Sequence, residues 1–154
     1  MKFQIPRKKS GFTLVETMIT VTIIGLLTSV SVPAVMSAKD RALAVSLAND
    51  FRTYAAAFEI YALEEGSWPA DGLPGSIPAG MEDQLPKFAE TTYQNGKWDW
   101  EHNAVGVTAG VSLRLSSIDE KVLTRIDEML DDGNLTAGKF RKTNGNGVTL
   151  VLEE

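Results

Sequence analysis

The chain of 154 residues contains no cysteine and a single histidine, His102. Without cysteine it can form no disulfide, no thiolate metal site and no cysteine nucleophile. This lack does not identify the compartment, because an exported domain can fold without disulfides. The sequence shows no glycine-rich phosphate loop, and in a strand His102 would point away from Asp99 and Glu101. We therefore expect neither an enzyme nor a bound cofactor.

Basic residues are scarce after the first eleven positions, which hold four lysine or arginine residues and no acid. The remaining chain carries 11 basic and 20 acidic residues, a net charge of −9. An acidic surface repels a phosphate backbone, so no nucleic-acid partner is expected. Lys139, Arg141 and Lys142 form either a local basic patch or a solvated strand edge.

The longest apolar run extends from Phe12 to about Met36. About 25 helical residues at roughly 1.5 Å each can cross a hydrocarbon core of about 30 Å. The basic cluster before the run predicts that the N-terminus stays in the cytoplasm and that the rest faces outward. In a secretory signal, by contrast, the cleavage site follows the apolar part.

Glu16 is a carboxylate one turn into this apolar run. A charged side chain in hydrocarbon costs about 2.5–3.5 kcal/mol, so Glu16 needs a partner or a functional reason. The alternative is that it lies at the interface near the basic cluster and is solvated.

The segment Arg7–Glu16, RKKSGFTLVE, resembles the class III signal of type IV prepilins and type II secretion pseudopilins. The resemblance implies that a prepilin peptidase cuts between Gly11 and Phe12 and that Phe12 is then N-methylated. It also implies that Glu16 pairs with the N-terminal ammonium of a neighbouring subunit. The implied partners are identical or homologous pilin subunits, the peptidase, an inner-membrane assembly platform and, before assembly, membrane lipid.

Three divisions follow: a basic leader (residues 1–11), a transmembrane and filament-core half of a helix (12–36), and a globular domain that includes the soluble half of that helix (37–154). The implied function is a structural subunit of a type IV pilus or a type II secretion pseudopilus, held in the bacterial inner membrane and later in a periplasmic or extracellular filament. One alternative is a minor pilin or adhesin that binds a surface or glycan at a filament tip. Another is a monomeric membrane-anchored binding domain.

Gly25 and Pro33 weaken the predicted helix. Proline removes one backbone hydrogen bond, and the hydroxyls of Thr28, Ser29 and Ser31 could satisfy the freed groups. Both positions resemble the glycine and proline that bracket a melted segment in assembled filaments of this family, which predicts a hinge. A simple kink is the alternative.

Helical composition continues to Glu65, and Gly66 suits a left-handed cap. Large apolar residues recur at three- and four-residue steps and predict a face that packs on a sheet. They are Leu43, Leu47, Phe51, Tyr54, Phe58 and Tyr61. Residues 66–86 predict a surface loop with a helical turn near Met81–Leu85. The fold expected is α+β and type IV pilin-like, a long N-terminal helix packed on a small antiparallel sheet.

Alternation predicts a strand at Trp98–His102 and another at Val105–Ser116, joined by a hairpin around Asn103–Ala104. In this pattern the two tryptophans face the core, and Asp99 and Glu101 lie on the other, solvated side. The alternative is that Trp98 and Trp100 are exposed and stack on a sugar ring.

The C-terminal part predicts a short helix that begins at a capping box, Ser117–Glu120, and ends at Gly133. Two further strands, 138–142 and 148–152, flank a turn at 144–147. Asp131, Asp132 and Asn134 supply oxygen ligands and form a weak calcium candidate, beside the alternative of a solvated helix end.

Overall fold

The computed structural model describes residues 11–92, 95–115, 119–143 and 147–154. Within it the chain divides into two compact units, with the boundary between Lys39 and Asp40. The predicted leader up to residue 10, the Ser117 end of the predicted capping box and residues 144–146 of the predicted turn lie outside the described residues.

Helix α1 extends from Leu14 to Glu65 and contains Pro33. It begins two residues after the predicted start at Phe12. Gly66 follows it with a φ of +74° and donates its N–H to the carbonyl of Ala62 at 3.0 Å. This confirms the predicted left-handed cap, a conformation that glycine adopts without a steric penalty.

The hydroxyls near Pro33 do not act as predicted. Pro33 leaves the Ser29 carbonyl without its helical donor. The hydroxyls of Thr28, Ser29 and Ser31 donate instead to carbonyls three or four residues before their own positions. Such local bonds satisfy the hydroxyl itself in an apolar setting, so they explain why these side chains are tolerated but not how the freed carbonyl is satisfied.

The sheet has four antiparallel strands in the order β1-β2-β4-β3. Their bounds are Lys97–Ala104 for β1, Val107–Arg114 for β2, Phe140–Thr143 for β3 and Gly147–Glu153 for β4. The first hairpin turns at Val105 and Gly106, which have φ of +46° and +83°, and not at Asn103–Ala104 as predicted. The prediction was wrong because β1 continues to Ala104, past the residues at which the sequence pattern indicated the turn.

Helix α2 spans Glu120–Leu130 between β2 and β3, shorter than the predicted helix that ended at Gly133. Its N-cap is Asp119, whose side chain accepts the Lys121 N–H at 2.9 Å. An aspartate fills this position well, since its oxygen satisfies a backbone donor that the first turn leaves free.

The core joins the predicted face of α1 to the sheet. Phe51 meets Trp98 edge to face at 4.8 Å between ring centroids, and Phe58 stacks on Trp100 at 3.9 Å. The predicted stripe is therefore confirmed at its centre, and its two ends, Leu43 and Tyr61, are partly buried against the same core. Together with the helix and sheet bounds, this confirms the α+β pilin-like fold.

Candidate functional site

Glu16 closes a capping box with Thr13 at the start of α1. Its Oε2 accepts both the N–H and the hydroxyl of Thr13 at 2.9 Å, and the Thr13 hydroxyl accepts the Glu16 N–H at 3.3 Å. The carboxylate thereby satisfies backbone donors that the first turn leaves free. Sequence reasoning missed Thr13, although the spacing Thr-x-x-Glu is the usual signal for this motif.

The residues of the predicted cleavage site precede this cap. Gly11 and Phe12 are exposed and lie before the first helical residue. A peptide bond in extended, exposed chain is accessible to a protease, whereas one inside the helix is not. Gly11 and Phe12 thus lie directly before α1, and Glu16 lies in its first turn.

The two predicted hinge residues lie further along α1. A β-carbon added to Gly25 would meet no atom within 4 Å, so packing within the described chain does not require glycine there. Pro33 lies inside a continuous helix. The hinge stays a prediction.

Strand β1 does not expose its two tryptophans, Trp98 and Trp100, so they cannot stack on a sugar ring. Trp98 is 2% exposed and Trp100 1% exposed, and the Trp100 indole donates to the Pro69 carbonyl at 3.0 Å. The alternative of sugar stacking by this pair is therefore wrong, since both ring faces lie in the core. Trp68 in the adjoining loop is half-buried and donates to Glu153 at 2.6 Å.

Asp99 and Glu101 are not solvated as expected: both are buried, and both pair with the partly exposed Arg114 of β2. The Arg114 guanidinium donates to Asp99 Oδ2 at 2.6 Å and to Glu101 Oε1 at 3.0 Å. This cluster carries one more negative than positive charge. The pKa of Asp99 is raised from its usual 3.8 to about 6. Burial is the main cause, the charges of Glu101 and Asp71 act in the same direction, and the hydrogen bond and charge of Arg114 oppose the rise. The strand period placed the pair on the correct face but gave no sign that this face is covered.

A second acidic cluster joins Asp127 of α2 to Asp131 and Asp132 after it. One carboxylate oxygen from each lies within 4.8 Å of the others. Asp127 is 0% exposed, and neither of its oxygens has a hydrogen-bond partner among the residues the structure describes. Burial raises the pKa of Asp127, while the Gly133 N–H, which faces it without reaching hydrogen-bond geometry, lowers the pKa in part.

The predicted triplet of Asp131, Asp132 and Asn134 needs correction. The Asn134 side-chain oxygen accepts the N–H and the hydroxyl of Thr136, at 3.2 Å and 2.7 Å. Asp127 takes its place in the carboxylate group. Sequence reasoning did not single out Asp127, because one acid within a short helix gives no sign that it is buried.

The loop after α2 wraps around Asp131. The N–H groups of Lys139 and Phe140 both donate to its Oδ2. Gly138 has a φ of +89°, and a β-carbon there would collide with the same carboxylate. This carboxylate is therefore fixed in place by the backbone, so one oxygen of the cluster is positioned before any ligand arrives.

The proposed basic patch is largely neutralised. Arg141 pairs with Glu154 at 2.9 Å and Lys142 pairs with Glu120 at 2.7 Å. These ion pairs favour the alternative of a solvated strand edge over a basic patch.

The N-terminal segment of the chain is similar to known proteins. Residues 6–32 match the family model for the prokaryotic N-terminal methylation motif. Among curated proteins, the chain is 41% identical over 83 residues to type II secretion system core protein G of Pseudomonas aeruginosa, a match that covers 53% of this chain and 58% of that protein.

Two further relatives cover similar shares. A type II secretion system core protein G of Aeromonas hydrophila is 35% identical over 63 residues, 41% of this chain and 44% of the relative. Prepilin peptidase-dependent protein D of Escherichia coli K12 is 34% identical over 73 residues, 47% of this chain and 50% of the relative.

The chain thus spans about half the length of the curated relatives that it matches. No solved structure matches it. The methylation motif and the matched relatives confirm the predicted resemblance of this chain to type IV prepilins and type II secretion pseudopilins.

Proposed function

We propose that this chain is a structural subunit, not an enzyme, that is cleaved after Gly11, methylated at Phe12 and assembled into a type IV pilus or a type II secretion pseudopilus. One observation carries the proposal. The first half of α1, most of which lies within the methylation motif, exposes its apolar side chains, and the only charged residue of that half, Glu16, lies in its first turn.

Exposed apolar surface of this extent needs a nonaqueous partner. Among the described residues, α1 is the one helix long and apolar enough to cross a membrane. Before assembly we propose that lipid covers residues 12–36, with the N-terminus on the cytoplasmic side of the bacterial inner membrane and the rest facing outward. During assembly, the equivalent faces of neighbouring subunits replace the lipid.

Glu16 sets the axial register in this proposal. A carboxylate in an apolar filament core is costly unless a cation meets it. The new ammonium at Phe12 of a neighbouring subunit supplies that cation. Subunits that slip by one turn leave both charges unpaired, so the pairing selects a single register. Gly25 and Pro33 would allow the helical segment between them to unwind where subunits pack.

Processing is tested by expressing the full chain with and without a prepilin peptidase and measuring the mass of the product. We expect a new N-terminus at Phe12 that carries one methyl group. Replacement of Gly11 by Val should block the cut, because a bulky residue then occupies the position before the cleaved bond. An N-terminus that remains at Met1 in the presence of active peptidase would refute the proposal.

The role of Glu16 is tested with two variants. Glu16→Gln retains an oxygen that can accept from Thr13 but has no charge, whereas Glu16→Ala loses both the cap and the charge. If charge pairing sets the register, both variants insert in the membrane and neither assembles normally. Glu64→Ala removes an exposed acid from the soluble half of the helix and should assemble as wild type. Normal filament levels with Glu16→Gln would exclude charge pairing.

We also propose that Asp127, Asp131 and Asp132 bind a hard divalent cation such as Ca²⁺. The observation that favours it is the fully buried Asp127 carboxylate, whose two oxygens are unpartnered within the described chain. Carboxylates of this kind are the ligands that Ca²⁺ prefers. Titration of the full chain in detergent with Ca²⁺ should raise its melting temperature, and Asp127→Asn should abolish the rise. Asp83→Asn, an exposed aspartate, is the matched control. An unchanged melting temperature in millimolar Ca²⁺ would contradict the site.

A further inference from the structure

Residues 69–78, here named the edge segment, lie along the free edge of β1. The Gly75 N–H donates to the Trp98 carbonyl at 2.7 Å. The Trp100 indole donates to the Pro69 carbonyl at 3.0 Å. One of these bonds joins the two backbones and the other comes from the indole side chain, and together they attach the segment at two alternate residues of β1.

A third bond involves a carboxylate. Asp71 Oδ1 accepts the N–H of His102 at 3.2 Å, two residues further along β1. The residues of β1 that lie between the anchored positions are Asp99 and Glu101, whose carboxylates are buried. The edge segment therefore brings a third carboxylate to a strand that already holds two.

The charges around Asp99 do not balance. Arg114 of β2 supplies one positive charge, which is bonded to both Asp99 and Glu101. Asp99 Oδ1 is buried and has no hydrogen-bond partner among the described residues. Asp71 acts on it from the edge segment and raises its pKa by charge repulsion.

Lys97 completes the set of ionisable groups on this side. Its side chain is exposed and lies against the edge segment, where a β-carbon on Gly75 would meet it at 3.3 Å. His102 follows on the opposite face of β1 and contributes its backbone N–H to the anchor. An exposed lysine is solvated and screened, so it offsets little of the buried negative charge.

We propose that the edge segment is an acid-strengthened latch, held on β1 more tightly when Asp99 is neutral than when Asp99 is charged. Loss of the charge removes the repulsion between Asp99 and Asp71, and it lets the unpartnered oxygen of Asp99 carry a proton. The three anchoring bonds then hold the segment without an opposing force.

The direction of the pH effect follows from the folded state. The pKa of Asp99 is raised from its usual 3.8 to about 6. Its protonation therefore stabilises the closed latch fully below the usual value, and this contribution is lost as the pH rises through about 6. If opening restores the usual pKa, closure is favoured about tenfold more at pH 5 than at pH 7.5.

The test uses the full chain in detergent micelles and measures the exchange of backbone amide hydrogens at pH 5 and pH 7.5, each corrected for the intrinsic rate at that pH. We expect the protection of the Gly75 and His102 amides to be about tenfold higher at pH 5. The Leu150 amide, in the centre of β4, reports global unfolding. Because the latch opens without unfolding the sheet, Leu150 should be more strongly protected than Gly75 and His102 at both pH values.

Three variants separate the latch from a general effect of acid. Asp99→Asn should protect Gly75 and His102 equally at both pH values. Asp71→Asn, whose amide oxygen can still accept from His102, should reduce the pH response. Asp83→Asn, a distant exposed aspartate, should respond as wild type. The proposal is overturned if the wild type shows no difference between the two pH values or if Asp99→Asn keeps the response. It is also overturned if Gly75 and His102 are as strongly protected as Leu150, since they would then exchange only by global unfolding.

Discussion

The two halves of α1 bury their apolar side chains to very different extents. Between Leu14 and Met36 the large apolar residues are exposed, whereas Phe51 and Phe58 in the second half are fully buried. Both halves are helical and both are rich in apolar residues. The difference shows that apolar composition predicts that a surface will be covered, but not by what. The second half finds its cover in the sheet, and the first must find it in lipid or in other chains.

The sequence of each half reflects this difference. The second half keeps its aromatic residues on one face and places charged residues such as Asp50, Arg52 and Glu59 elsewhere. The first half has no polar face except hydroxyls that bond to their own helix. A helix that is apolar on all sides is typical of a membrane span or of the centre of an assembly.

The largest effect should come from removing an aromatic ring from the second half. Phe58→Ala deletes a ring that stacks on Trp100 and should lower the free energy of unfolding by about 3–5 kcal/mol, measured by urea denaturation. Leu63→Ala on the same helix, where the side chain is 85% exposed, should stay within about 0.5 kcal/mol of wild type. Equal losses in both variants would mean that burial against the sheet does not decide how much an apolar side chain of α1 contributes to stability.

A charge introduced into the first half of α1 should weaken membrane association and leave the stability of the domain unchanged. Ile24→Lys places an ammonium in the proposed membrane span at a cost of about 2.5–3.5 kcal/mol. We expect less chain in the membrane fraction after alkaline extraction, with urea unfolding of the domain unchanged. Ile60→Lys, at a half-exposed position of the second half, should leave membrane association intact. A domain destabilised by Ile24→Lys would show that the two halves are not independent.

The smallest effect concerns the first hairpin, which belongs only to the unit that begins at Asp40. Val105 is β-branched and has a φ of +46°, a region in which asparagine is far better tolerated. Val105→Asn should therefore raise the free energy of unfolding by about 1 kcal/mol in urea denaturation. Asn103→Val, at a φ of +54°, makes the reverse change and should lower it. No gain from Val105→Asn would indicate that the turn is relaxed by its surroundings.

Much of the fold could be predicted because the spacing of the apolar residues and the positions of the glycine and proline residues indicate the same elements. The aromatic stripe of α1, the glycine cap and the strand alternation are local patterns, and the structure confirms each of them at its centre. The predicted element boundaries differ from the observed ones where a strand pattern overlaps a turn. At Asn103–Gly106, for example, strand-like alternation continues into the turn. The positive φ of Val105 could not be predicted, because β-branched residues rarely adopt this backbone conformation.

The candidate sites were less predictable, because each depends on contacts between distant positions. The motif that contains Gly11, Phe12 and Glu16 is local and was found. The burial of Asp99 and Glu101 depends on Arg114 and on the edge segment. The cluster at Asp127 depends on the chain folding back after α2. Burial of an acid is decided by tertiary packing, and a strand or helix period cannot reveal it.

The placement of the tryptophans also has a spectroscopic consequence. Trp98 and Trp100 are enclosed, and Trp68 is half-buried. These three are the only tryptophans of the chain, and none lies between residues 12 and 36. Intrinsic fluorescence therefore reports the folding of the domain and is silent about the apolar half of α1. A soluble quencher should reach the Trp68 ring alone, so unfolding could be followed inside a membrane or a filament without an attached dye.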